Sequence, residues 1–447
     1  MILHETKEGN EMKPGKGHNN RAGSSLTILS AAGMTVVWLI GAALAAGGVQ
    51  VSAGSSTAPL AQGLGATARG VAPSIPVLAF RPGGGQAAAP GGQAAAQGRP
   101  MLSDEAFKNV QALKGIPVDD FMLTMGIMTS ALAFDCADCH ENAGTDRVNW
   151  AADTPKKVTA RKMVFMVQAI NKDNFGGRQM VTCFTCHRNR DRPLTTPTME
   201  MLYGSPTLEP DDYLAKAQGS PPADQIFDKY IQALGGAQRL SGLTSFVAKA
   251  TSVGFGGFGG GGQVSIYAKA PDQRATIIVF KDAPGRDDSV RAFDGRAGWI
   301  RTPLSVLGEY ALSGSELDGA RLDAQLSFPG QIKQVLTNWR VSESTTIDDR
   351  AVQVVQGDGP RGLLATLYFD KESGLLVRLL RYGRSPIGRI PTQVDYTDYR
   401  DVGGIKFPFR WTFAWLDGRD SFQLSEVQPN VPIDAARFGR PAPSGGR

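Results

Sequence analysis

Histidine and cysteine are scarce in this chain of 447 residues, four of each, and neither occurs after His187. The carboxy-terminal half therefore lacks the residues for Ser-His, Cys-His or zinc-thiolate chemistry. Methionine is missing there too: nine of the 12 lie between Met101 and Met201, and none follows. The net charge of +5 leaves no electrostatic footprint for nucleic acid. Charge is absent altogether from Leu26 to Val51, a stretch that contains the apolar run Met34–Ile40 and follows Lys13, Lys16 and Arg21. Such a segment is an export signal or a membrane anchor. Val51-Ser52-Ala53 supplies a small-residue cleavage site, and no nearby cysteine is available for a lipoprotein anchor. Residues 54–100 are rich in Gly, Ala, Pro and Gln and cannot bury enough apolar surface to offset their chain entropy, so they read as a disordered linker.

All four cysteines stand in two copies of one pattern, Cys136-Ala-Asp-Cys139-His140 and Cys183-Phe-Thr-Cys186-His187. Cys-x-x-Cys-His is the attachment pattern of haem c: the two thiols add to the vinyl groups and the histidine ligates the iron. Two covalent haem c groups are therefore expected, held by Cys136, Cys139, Cys183 and Cys186, with His140 and His187 as axial ligands. A zinc ribbon needs no histidine after both pairs, and a thioredoxin-like switch needs no duplicate.

The other two histidines, His4 and His18, precede the apolar segment. With one histidine per haem, the sixth iron position falls to methionine or another residue, or stays vacant. Met122, Met125 and Met128 lie in a helical pattern before the first motif, and Met163 and Met166 in another before the second. Methionine fills core gaps in most proteins. Its repetition in both units, with no competing ligand, favours one thioether per haem. Thioether ligation raises the reduction potential, and so does burial among Phe121, Phe134, Phe165 and Phe184. With both axial positions filled, the chemistry is one-electron transfer rather than catalysis.

The stretch from about Phe121 to Pro197 resembles one dihaem half of the photosynthetic reaction-centre cytochrome c subunit family. The carrying pieces are Phe121-Met-Leu-Thr-Met125 with the first motif, then Val158 to Asn171, then Val181-Thr-Cys-Phe-Thr-Cys-His-Arg188. The resemblance implies that Met125 ligates the first haem and Met163 the second, with Met128 and Met166 in reserve. It also implies delivery of electrons from a periplasmic donor to a membrane electron-transfer complex such as a reaction centre. The chain departs from the family in having one dihaem unit, no histidine shortly before the second motif and no lipoprotein cysteine.

The second unit is basic, with Lys156, Lys157, Arg161, Lys162, Arg178, Arg188, Arg190 and Arg192. These form either a solvated surface or a docking face for an acidic partner. Arg188, directly after the second motif, is also placed to contact a haem propionate.

Beyond Pro221-Pro222 the pattern changes. A short helix from Ala223 to Leu234 gives way to alternation, plainest in Ile405, Phe407, Phe409, Trp411, Phe413 and Trp415. Asp417-Gly418 signals a hairpin into Phe422 and Leu424, and a second hairpin turns at Glu372-Ser373-Gly374. This half resembles lipoprotein-carrier half-barrels, through the strand pattern and the segment Asp398 to Pro408. The run Gly254–Gly262 has no following Lys-Ser/Thr and is not a phosphate loop.

The expected protein is multidomain: a signal or anchor over 1–53, a linker over 54–100, a mainly α dihaem cytochrome c domain over 101–202, a linker over 203–222, and a β-rich (α+β) domain over 223–440 built on a curved antiparallel sheet. The expected location is the periplasmic side of the cytoplasmic membrane. Two alternatives remain open: a non-photosynthetic respiratory carrier, and a lipid-like-ligand-binding domain with a haem redox sensor.

Overall fold

The computed structural model describes residues 99–145, 147–204, 213–254, 261–280, 288–303, 307–416 and 418–442. The export segment, most of the Gly/Ala/Pro/Gln stretch, Asp417 and residues 255–260 lie outside the described residues.

Residues 103–203 form helices α1 (Ser103–Ala106), α2 (Val118–Leu132), α3 (Cys136–Cys139), α4 (Pro155–Phe175), α5 (Cys183–His187) and α6 (Met199–Tyr203). Asp119 and Asp120 lie in the first turn of α2, where negative charge suits the helix dipole, and Ala133 ends it in the left-handed region. Thr154 caps α4 through its side chain, Pro155 supplies the preset first turn, and Gly176 closes the last one at φ +60°.

Two more helices, α7 (Ala223–Ala233) and α8 (Ala237–Ser241), lead into the sheet. Its first run is β1 (Ser245–Ser252), β2 (Gly262–Lys269), β3 (Gln273–Phe280), β4 (Ser289–Phe293), β5 (Gly298–Arg301) and β6 (Glu309–Ala311). Helix α9 (Gly314–Gln325) then crosses to β7 (Thr337–Ile347), β8 (Arg350–Asp358), β9 (Leu364–Asp370), β10 (Leu376–Ser385), β11 (Gly388–Val402), β12 (Ile405–Ala414) and β13 (Arg419–Pro429). All 13 strands form one antiparallel sheet in the order β6-β5-β4-β3-β2-β1-β13-β12-β11-β10-β9-β8-β7. Two meanders thus meet where β1 pairs with β13, and α9 carries the chain from one edge to the other. A sheet this wide curls rather than staying flat.

The alternation in the last strands follows the pleat: Ile405, Phe407 and Phe409 are buried while Lys406 and Arg410 face water. Between β11 and β12 the turn consists of Gly403 and Gly404, with φ of +64° and +84°. Two consecutive left-handed residues make the tight hairpin that matches strand twist, and glycine adopts both without strain.

The hollow of the sheet is filled. Phe227 and Leu234 from the α7 segment, Leu322 from α9, Ile332, and Leu367 and Leu379 from the strands are all less than 2% exposed. Each such side chain contributes on the order of 1.5–3 kcal/mol on burial. The packed-core reading of the aromatic pattern therefore holds over a lined ligand cavity at these positions. The segment from Tyr213 to Pro222, read as a linker, is tied down: Leu214 N–H donates to Gln356 and Ala217 N–H to Val341 of β7.

The helical segment shares a core with the sheet. Leu123 and Ile127 of α2 and Val164 of α4 pack with Ile387 and Ile390, and Trp415 and Leu416 join them. Gly126 sits where α2 meets Trp415; a Cβ there would come within 2.9 Å of the indole. Two polar links reinforce the contact. Ser313, at the start of α9, donates its N–H and hydroxyl to the Asp119 carboxylate, and Gln179 donates to the Ser385 carbonyl at 3.0 Å.

Carboxylates crowd this junction. Desolvation, then Asp119, then Glu316 push the Asp120 carboxyl up to about 6. Its native value lies above the ordinary 3.8, so the folded chain takes up a proton that the unfolded chain does not between these values. The contribution of Asp120 to stability is expected to rise as pH falls from about 7 to 5. Thermal melts across that range should show the slope, and Asp120→Asn should flatten it.

Candidate haem-attachment site

Both cysteine pairs sit on single helical turns closed by reciprocal caps. In α3, Asp138 N–H donates to the Asp135 carboxylate at 3.1 Å and Asp135 N–H to Asp138 at 3.0 Å. In α5, Thr185 N–H donates to the Thr182 hydroxyl at 3.3 Å and Thr182 N–H to Thr185 at 3.0 Å. Such a box satisfies two otherwise orphaned donors, which lets a turn of four or five residues hold its shape.

The turns hang from opposite ends of α4. At its start the Thr154 hydroxyl donates to the Cys139 carbonyl at 2.7 Å. Near its end the Asn171 amide accepts from Met180 N–H and Val181 N–H, both at 2.9 Å, and donates to the Val181 carbonyl at 2.7 Å. Thr154 and Asn171 are about 25 Å apart at the helical rise. None of the four cysteines is in a disulfide, and no three His, Cys, Asp or Glu side chains assemble as metal ligands among the described residues. Burial pushes the Cys139 and Cys183 thiols up, opposite to what a nucleophilic redox switch requires.

The histidines differ in their support. His187 Nδ1 lies 3.0 Å from the Arg190 carbonyl. A carbonyl only accepts, so Nδ1 donates and Nε2 is the nitrogen left to face a metal. His140 has a buried Nδ1 with no hydrogen-bond partner and an edge contact with Trp150, ring centroids 5.0 Å apart. Desolvation, then Lys157, lower its pKa.

Four of the apolar side chains around the motifs meet water in the protein alone. Phe165 and Phe184, expected to be buried, are 52% and 53% exposed, with Val158 and Met166 beside them at 37% and 43%. The protein packs the opposite face of α4, Val164 and Val167, and leaves this one to be covered by something else. An apolar face beside a Cys-x-x-Cys-His turn fits a covalently held haem, and so does the proton placement on His187.

Met125 and Met163 are both half-buried, and Met128 packs into the core shared with the sheet. The packing adds a relation that spacing along the chain does not contain. Helix α2, which precedes the first motif, lies against α5, the second motif, and the Arg190 N–H caps its end at the Ala131 carbonyl. Helix α3 lies against α4. Asn171 and Asp119 are the structural residues that sequence reading passed over; a polar side chain inside an apolar helical pattern was the available signal for each.

The family described as photosynthetic reaction centre cytochrome C subunit matches residues 82–205. The photosynthetic reaction center cytochrome c subunit of Thermochromatium tepidum is 35% identical over 96 residues, 20% of this chain and 22% of that protein. The chain thus spans about a fifth of the length of that relative. Among solved structures, a LolA superfamily protein from Nitrosomonas europaea aligns at 14% identity and TM-score 0.35 over 49% of this chain and 99% of its own. A DUF1329 family protein from Desulfovibrio piger aligns at 13% and 0.34 over 49% and 98%.

The second turn depends on Asn171, which is 9% exposed. Asn171→Ala leaves two amides and a carbonyl without partners and is expected to cost about 2–3 kcal/mol, read as a lower denaturation midpoint. The segment that bears both Cys-x-x-Cys-His turns is similar to the photosynthetic reaction-centre cytochrome c subunit family.

Proposed function

We propose that residues 101–202 bind two haem c groups and transfer single electrons on the exported side of a bacterial cytoplasmic membrane, to a membrane complex of the reaction-centre type. The observation that carries this reading is the pair of separately capped Cys-x-x-Cys-His turns at the two ends of α4. When bound, the haem supplies one-electron redox chemistry. Cys136 and Cys139 would hold the first group and Cys183 and Cys186 the second, with His140 and His187 as proximal ligands.

The chain's own residues do the rest. The Arg190 carbonyl orients the His187 ring through Nδ1. The half-buried Met125 and Met163 are the proposed distal ligands, and Phe165 and Phe184 would exclude water. Arg178, Arg188, Arg190 and Arg192 are exposed and serve as a docking face for an acidic partner. Among the described residues no helix is long and apolar enough to cross a membrane; export rests on the segment before residue 53. The respiratory reading differs only in the electron acceptor. The filled hollow of the sheet favours a scaffold over a lipid-like-ligand carrier.

Intact mass should show two haem additions, with one lost in Cys136→Ala/Cys139→Ala. Met125→Ala and Met163→Ala should each remove the Met-to-iron charge-transfer band of one haem and lower its potential; two unaltered Met-ligated haems in both variants would refute these ligands. In native membranes, a flash should oxidise the haems rapidly, and the signal should vanish in a deletion strain. Redox cycling with respiratory substrates alone would move the role to respiration.

A further inference from the structure

The two cysteine-bearing turns share one cap design and differ in charge at three positions aligned in sequence. The first reads Asp135-Cys-Ala-Asp138-Cys-His-Glu141 and the second Thr182-Cys-Phe-Thr185-Cys-His-Arg188. Both caps are reciprocal, and the hydrogen bonds between backbone and side chain are alike, 3.0 to 3.1 Å in one and 3.0 to 3.3 Å in the other. Aspartate and threonine are both good cap residues, so capping alone does not require carboxylates at one turn and hydroxyls at the other. The residue after the histidine adds a third contrast, an acid at Glu141 and a base at Arg188.

The surroundings reduce this contrast without removing it. Lys156 pairs with Asp138 at 2.6 Å, a compensation weakened by solvent at both side chains, and Lys157 sets a positive charge near His140. Asp135 and Glu141 face water without an ion pair among the described residues. Arg190 and Arg192 follow the second turn in sequence, while the charge of Asp191 between them acts on Lys156 of the first.

We infer, on the basis of the haem reading above, that these charges grade the two sites. Negative charge at Asp135, Asp138 and Glu141 stabilises the oxidised, more positive iron at the first site and lowers its potential. Arg188 and the uncharged Thr182/Thr185 cap do the reverse at the second. One electron leaves the first site, which is oxidised, as the second gains it and is reduced. The donor meets the chain at the Cys136 turn and the acceptor at the Cys183 turn.

Spectroelectrochemical titration of the full haem-loaded chain tests the grading. Cys136→Ala/Cys139→Ala identifies which midpoint belongs to which site, and the haem bands report loading. The first site should hold the lower midpoint. Asp135→Asn/Asp138→Asn keeps a good cap and should raise that midpoint by roughly tenfold in its reduction equilibrium, ~59 mV for one electron, leaving the other in place. The reverse exchange, Thr182→Asp/Thr185→Asp, should lower the second midpoint, as should Arg188→Asn, which tolerates the left-handed backbone at that position. A higher midpoint at the first site, or midpoints indifferent to these exchanges, would overturn the grading while leaving two haems in place. A chain with no haem bands at all would overturn the haem reading and the grading together.

Discussion

Helix α4 is the spacer on which both cysteine turns depend. A turn of four or five residues has almost no stability of its own, because its nucleation entropy is not repaid by further hydrogen bonds. Here each turn gains a side-chain cap, and each is then fastened to one end of a 21-residue helix, by Thr154 at the start and Asn171 near the end.

The helix is held in turn by the sheet. Val164 of α4 and Ile127 of α2 are buried against Ile387 and Ile390, so removing the sheet would expose an apolar face and free both helices. Asp119 extends this coupling into α9 by accepting from Ser313, at the cost of a desolvated carboxylate next to Asp120. The carboxy-terminal domain holds the two helices through this shared core.

The electrostatics of the unit follow from the same small turns. Capping a helix end needs an oxygen acceptor, and both Asp and Thr supply one. The choice between them is thermodynamically small for folding but places full charges in the cap before His140 that the cap before His187 lacks.

Much of this was legible along the chain. The Cys-x-x-Cys-His spacing is a local covalent requirement and needs no tertiary contact to be read. Helical patterns over residues 121–128 and 161–170, which fall inside α2 and α4, and the turn from β12 to β13 followed from periodicity and turn residues, which are also local. Other features were not accessible in this way. Packing of α2 on the second turn, exposure of Phe165 and Phe184, the fastening role of Asn171 and the meeting of Asp119 with Ser313 each join residues distant in sequence or depend on which face of a helix the sheet covers. The residues of this chain by themselves determined what can be attached and where along the polypeptide, because bond formation and helix periodicity are short-range. Only the tertiary structure decided which helix lies against which turn, because burying the apolar faces of α2 and α4 required a sheet built more than two hundred residues later.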